Sequence, residues 1–285
     1  MADGVAVQDA PFHLPRMRGE FIDLNGERIY YYAAGTRGAG DPIVLIHGFP
    51  TSSHIWFDVV PKLPPGHRVI VVDLPGFGRS DPPRGGAGQL ASHAIRISLL
   101  LHLLQVERAC VVGHGAGGAI AQLMALTPQK VSGLGIIACG LAPFPPLTSR
   151  FSGVTRAARY APDWLWQPIA GGEIARGYVD ADRGRRSADV FLRPFSGSDG
   201  RTLFAQHFSE LHGTDFMTGS VTGKIAVPTT ILAGRDDPFV SVDAVRALQK
   251  SIIGATLQVC DSQRHFLPEE APSEVAATIG QLLAR

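Results

Sequence analysis

The sequence predicts an α/β fold, a mostly parallel twisted sheet flanked by helices, on three observations. Four short apolar runs, IVLI (43–46), VIVV (69–72), CVV (110–112) and LGIIA (134–138), are β-branched and nearly continuous. Strands buried on both faces have that composition. Helical spacing of apolar residues separates most of these runs, and a β-α-β-α alternation builds a parallel sheet. The sheet pattern stops near residue 140 and resumes at TTILAG (229–234), so one α/β unit is expected to carry an insertion.

The elements run in chain order. Residues 1–19 read as an arm. Glu20–Asn25 and Arg28–Ala33 are strand-like runs meeting at Asn25-Gly26, a strong hairpin signal. Gln89–Leu104 carries apolar residues at spacings of three and four, and Ala116–Leu126 is rich in small residues and stops before Pro128. Leu141–Thr222 is rich in Pro, aromatics and Arg, with nine Arg against six acids over 150–201 and no buried strand. It reads as a helical cap. Helical Val242–Gln249, the strand ATLQVC (255–260) and helical Ser273–Leu283 complete the chain. The expected division is an arm at 1–19, a core at 20–140 and 223–285, and a cap at 141–222.

Composition narrows the function. The 285 residues are 45% hydrophobic and 18% charged, which excludes disorder for most of the chain. Lys plus Arg is 26 and Asp plus Glu 25, a net charge of +1, so no nucleic-acid partner is expected. Cys110, Cys139 and Cys260 are too few and scattered for a disulfide framework or a zinc site. The first residues lack the apolar core of a signal peptide, and no run approaches the ~18 apolar residues of a membrane span. The expectation is a cytoplasmic monomer or homodimer without cofactor or metal, acting on a small molecule away from membranes.

Ligands of open α/β sheets bind beyond the carboxyl ends of the strands. The residues just after each apolar run therefore matter most. After IVLI comes His47-Gly48-Phe49-Pro50, a tight turn whose Phe49 amide could face a developing oxyanion. After VIVV comes Asp73-Leu74-Pro75-Gly76-Phe77-Gly78-Arg79-Ser80-Asp81, a rigid loop suited to supporting that turn. After CVV comes Gly113-His114-Gly115-Ala116-Gly117-Gly118, whose small residues suit a sharp strand-turn-helix elbow. Unlike a dinucleotide-binding loop, it sits on a mid-chain strand with no convincing ribose-binding acid after the partner strand. After TTILA comes Gly234-Arg235-Asp236-Asp237-Pro238, where either Asp could orient an imidazole. After TLQVC, His265 lies on a loop before a helix that Pro268 could start. Elbow, acid loop and histidine loop each come after a separate strand, which would gather them at one sheet edge.

In this order the HGFP turn, DLPGFGRSD loop, GHGAGG elbow, GRDDP loop and HFLPEE loop resemble the α/β-hydrolase fold over roughly Glu20–Leu283 apart from the cap. HGFP and HFLPEE are similar to epoxide hydrolases and dehalogenases, whereas GH-x-AGGAIAQ is more similar to serine esterases. The resemblance implies Asp237 as the acid, His265 as the base, Phe49 and Ala116 as oxyanion-hole amides, and His114 as scaffold. It also puts Gly115 where the family carries its Ser, Asp or Cys nucleophile, and Arg264 where the family often has Gly. Covalent catalysis through the elbow is therefore excluded. Ser52, Ser53, Cys139 and Cys260 are better read as packing or capping residues than as replacement nucleophiles.

Of the cap aromatics, which include Phe151, the resemblance implies that some line an apolar pocket. Tyr160, Trp164 and Tyr178 are the candidate substrate contacts. Tyr160 and Tyr178 are also the only cap tyrosines available for the acid role that epoxide hydrolases give such residues. Three functions are open. The first is hydrolysis of a small apolar ester or epoxide, by a disarmed variant or by direct attack of His265-activated water. The second is a lyase, cyclase or isomerase using the His265–Asp237 dyad. The third is a catalytically silent small-molecule binder.

Overall fold

A computed structural model describes residues 19–35, 40–84, 89–141, 153–155, 158, 160–212 and 219–285. The expected arm, apart from residue 19, and Phe151 lie outside the described residues. Eight strands form one sheet: β1 (Gly19–Leu24), β2 (Glu27–Ala34), β3 (Ile43–Ile46), β4 (Val69–Val72), β5 (Ala109–His114), β6 (Val131–Ile137), β7 (Thr229–Gly234) and β8 (Thr256–Cys260). Their spatial order is β1-β2-β4-β3-β5-β6-β7-β8. β1–β2 and β2–β4 are antiparallel, and all other pairs are parallel. Asn25 and Gly26, at φ 58° and 85°, make the hairpin turn, as two-residue loops with both central residues at positive φ do.

Buried strands need apolar side chains on both faces, and β3 and β4 are buried at every position. β8 is an edge strand with partly exposed residues, which explains its mixed composition. β5 extends beyond CVV to Gly113 and His114, because both pair with β6 opposite Ile136 and Ile137. β6 begins at Val131, earlier than LGIIA suggests, and Ala138 lies beyond its end at φ 49°. In these two strands neighbour pairing, rather than apolar content, sets the limits.

The helices are α1 (Leu90–Leu103), α2 (Ala116–Met124), α3 (Asp163–Ala175), α4 (Ala181–Phe191), α5 (Gly197–His212), α6 (Gly219–Thr222), α7 (Val242–Ser251), α8 (Leu267–Glu270) and α9 (Pro272–Leu283). Gln89 caps α1 in extended backbone, and Pro272 starts α9 one residue before the expected boundary, where its missing N–H costs nothing. Between β6 and β7 the described residues contain helices and no strand. Trp166, Phe195 and Phe204 pack edge-on in their centre, with Trp166–Phe204 and Phe195–Phe204 centroids at 5.0 and 5.2 Å. Phe204 also reaches Phe49 of the sheet unit at 4.8 Å, so this segment sits over the HGFP turn. Several of its arginines engage in ion pairs, among them Arg176–Glu173, Arg183–Asp58 and Arg201–Asp163.

Candidate active site

The sheet order makes β3 and β5 neighbours, so the turn after Ile46 stands against the elbow after His114. Gly48 packs so closely there that a Cβ on it would lie 2.6 Å from the His114 carbonyl oxygen and 3.1 Å from the Ala116 nitrogen. The Phe49–Pro50 peptide is cis. His47 is buried and joins two loops: its Nε2 accepts the Leu74 amide at 2.9 Å, which leaves Nδ1 to donate to the Gly48 carbonyl at 2.8 Å. Burial holds its pKa down at about 4, so the ring is neutral. Asp73 completes the support. Its carboxylate accepts the Ser53 amide at 2.6 Å and the Arg79 amide at 2.9 Å. Burial raises its pKa, and those amide bonds offset part of the rise.

Gly115 precedes α2 at φ 54°, ψ −122°. A Cβ built on it would lie 3.6 Å from His265 Nε2, in ordinary van der Waals contact. The elbow therefore aims its side-chain direction at the imidazole, although no side chain is there. His265 Nδ1 lies 2.7 Å from Asp237 Oδ2, and both side chains are nearly inaccessible. An ionised carboxylate only accepts, so Nδ1 donates and Nε2 is left as acceptor. Asp237 Oδ1 is fixed in turn by the Phe239 and Val240 amides, at 2.7 and 3.0 Å. Asp236 is exposed and contributes its backbone amide to the Gln263 carbonyl. Of the adjacent pair, Asp237 is thus the partner of the imidazole. His114 donates Nε2–H to the His265 carbonyl at 3.1 Å, and burial holds its pKa well below the usual imidazole value.

Phe49 and Ala116 line a cavity with Leu74, Phe77, Leu90, His93, Ile120, His207 and Glu210. It has about 20 Å³ of room, enough for about one water molecule. His93 and His207 are 4% and 3% exposed. Burial pushes their pKa values down to about 4 and about 3. Neither was singled out by the sequence, because a buried imidazole in a helix carries no local signature.

Tyr160 and Trp164 are 85% and 76% exposed and are not among the residues that line this cavity. Aromatic content marks a segment as able to pack, but not which way each ring faces. Tyr178 is buried yet also stands off the cavity: its ring stacks on Phe266, and its hydroxyl donates to Glu269 at 3.2 Å. Ser52 caps the turn after HGFP, accepting the His54 amide. Cys139 is buried with its thiol pKa pushed up to about 12, which makes it a poor nucleophile. Among the described residues no group of three or more His, Cys, Asp or Glu could hold a metal ion, and no helix is long and apolar enough to cross a membrane.

Fold and ordered loops together define an α/β-hydrolase. The profile of the alpha/beta hydrolase family matches residues 43–278, and the chain belongs to that family. Over 114 residues it is 40% identical to the mesoderm-specific transcript protein of Mus musculus, a match covering 39% of this chain and 34%, about a third, of that protein. It is 25% identical over 267 residues to the 2-hydroxy-6-oxononadienedioate/2-hydroxy-6-oxononatrienedioate hydrolase of Cupriavidus pinatubonensis, covering 85% and 86% of the two chains. Among solved structures, the enol-lactonase from Burkholderia xenovorans superposes with a TM-score of 0.81 at 20% identity, over 93% of this chain and all of that one. At that identity the likeness concerns the fold. Est816, described as an N-acyl homoserine lactone degrading enzyme, superposes with a TM-score of 0.70 at 28% identity, over 93% and 99% of the two chains.

Proposed function

We propose that this chain hydrolyses a small, largely apolar ester or epoxide-like substrate by direct attack of water, without a covalent enzyme intermediate. The observation that carries the proposal is the bare backbone of the elbow: a Cβ on Gly115 would stand 3.6 Å from His265 Nε2, in contact with it, so the glycine leaves that face of the ring without a side chain. A water seated there is within reach of Nε2, the nitrogen left as acceptor by the Asp237 bond. For an ester, His265 takes a proton from this water as the oxygen attacks the carbonyl carbon. The carbonyl oxygen becomes an oxyanion on the Phe49 and Ala116 amides, and Asp237 stabilises the imidazolium. Collapse breaks the bond to the leaving oxygen, and His265 returns the proton to it. Acid and alcohol leave with one oxygen from water.

The cavity's Phe49, Leu74, Phe77, Leu90 and Ile120 favour an apolar acyl group. An acyl group needs more room than about one water. We therefore assign the helices within 141–222 as a cap whose α5 moves to admit substrate. The name of Est816 adds lactones to the substrates worth testing.

The test compares the native chain, Gly115→Ser and Gly115→Asp on short acyl esters, lactones and epoxides in ¹⁸O-water. Slow native turnover with ¹⁸O in the product is expected, and Gly115→Ser should accelerate ester cleavage. Absence of turnover in all three proteins would overturn the proposal. His265-dependent turnover without label in the product would move the assignment to a lyase, cyclase or isomerase. Ligand binding unaffected by His265→Ala, with no turnover, would move it to a binding protein.

A further inference from the structure

The backbone of His265 is held by the segment between α3 and α4 as well as by its own loop. The amides of His265 and Phe266 both donate to the Gly177 carbonyl, at 2.9 and 3.3 Å. The Arg264 guanidinium donates to the carbonyls of Arg176 and Tyr178, at 3.1 and 3.0 Å. The rings of Tyr178 and Phe266 stack with centroids 4.3 Å apart and planes at 18°. Glu270 accepts the amides of Val179 and Asp180, at 2.8 and 2.9 Å. Residues 176–180 thus form a seam along 264–266.

Glu269 closes the seam and is 5% exposed. Its Oε2 accepts from Ser187 Oγ at 2.6 Å and from the Tyr178 hydroxyl at 3.2 Å, with Arg183 Nε 3.6 Å away. Its Oε1 has no hydrogen-bond partner among the described residues. The titratable and charged groups facing it are Tyr178 and Arg183 from the cap side and Asp58 from the segment after β3, which pairs with Arg183 at 2.6 Å. Glu270, its neighbour on α8, is turned to the two amides.

We infer that Glu269 is a positioning residue for His265: closing residues 176–187 onto the His265 loop takes up a proton at Glu269, and opening the seam releases it. The functional part of this inference rests on the reading of His265 as the reactive base. Closure removes the carboxyl from water and leaves one oxygen unbonded, which disfavours the ionised form. Burial outweighs the hydrogen bonds from Ser187 and Tyr178 and the charge of Arg183, and pushes the pKa up to about 7 from an ordinary value of 4.5. An opened seam returns the group to water and to its ordinary value. Between those two values opening becomes easier by up to about tenfold per pH unit, and the effect levels off above about 7.

Amide hydrogen exchange tests this without substrate, so it stands apart from whether the chain hydrolyses anything. Under conditions where reclosing outpaces exchange, protection factors at the His265 and Phe266 amides should fall several-fold per pH unit from about 5 to about 7 and then level off. Glu269→Gln should abolish that pH dependence. Ser187→Ala, which removes the strongest bond to the ionised carboxylate, should extend the decline to higher pH. A side chain that merely fills space would instead change protection by one factor at every pH. Wild-type protection that does not vary with pH would overturn the inference, as would a decline that survives Glu269→Gln. If Glu269→Gln does not fold, a levelling-off point left unmoved by Ser187→Ala overturns it equally.

Discussion

A Cβ on Gly113 would stand 2.0 Å from the Gly117 carbonyl oxygen, and one on Gly117 would stand 2.4 Å from the carbonyl oxygens of Ile46 and His47. Those two glycines let the strand, the turn and α2 approach each other. Gly115 has no such neighbour, and only its φ of +54° argues against a side chain. Gly115→Ser is therefore expected to fold, at a loss of about 1–3 kcal/mol from the left-handed backbone. Gly113→Ala and Gly117→Ala should lose more, because their new atoms meet backbone that cannot swing aside. Urea unfolding of the three variants checks the ranking. At Asp237 the expected effect is on chemistry. In Asp237→Asn the amide nitrogen facing His265 would force Nδ1 to accept and put the proton on Nε2, where the base must be free. Turnover should fall by roughly 10³–10⁴ with the fold retained, which steady-state rates and circular dichroism would show.

Among the elements, the loop after β4 carries the turn that the site depends on. Asp73 accepts two amides, from Ser53 and Arg79, and its backbone carbonyl accepts Ser80 Oγ. Replacing it with Asn sets an N–H₂ group against one of two amide donors in a buried site. Asp73→Asn should cost about 1–3 kcal/mol, read from urea midpoints, and should slow turnover by loosening the HGFP turn. This supporting role was legible in the sequence, since three structure breakers in one short loop leave little freedom. The strands β3, β4 and β7 were legible to the residue, because burial on both faces selects short β-branched and apolar runs. The ends of β5 and β6 were not, since they depend on which neighbour pairs with Gly113 and Val131. At the site, spacing alone did not separate Asp236 from Asp237. The choice comes from the loop turning one carboxylate onto His265 and the other outward. Nothing local announced Glu269 as a seam residue either, because Ser187 and Arg183, which define its surroundings, lie far away in the chain. Tyr160 and Trp164 show what type alone leaves open: both are aromatic, and both stand exposed.

For the whole molecule, four imidazoles buried in different elements set the response to acid. They are His47 after β3, His93 on α1, His114 at the end of β5 and His207 on α5. Burial holds His47 and His93 down at about 4 and His207 at about 3, with His114 well below its usual value. Each group has a folded pKa below its unfolded value of 6.5. Below that pH the unfolded chain binds the protons that the folded chain refuses. Their contribution is thus complete above about 6.5 and is lost as the pH falls toward 4, at about 1.4 kcal/mol per unit for each ring. Glu269 acts in the opposite sense over the same range, because its folded pKa of about 7 lies above its ordinary 4.5. Among these five groups the balance is about three protons, or roughly 4 kcal/mol per pH unit. A domain with ~5–15 kcal/mol of stability cannot sustain that slope for long. Cooperative unfolding is expected between about pH 4 and 5, with the urea midpoint already falling at pH 6. His207→Phe keeps a ring against Phe77, 4.2 Å away by centroid, and removes one titrating group. It should flatten the acid limb by about a third of the net slope and shift unfolding to lower pH. A wild-type urea midpoint unchanged from pH 7.5 to 5 would show that these rings take up protons without opening the core, and would refute the assignment.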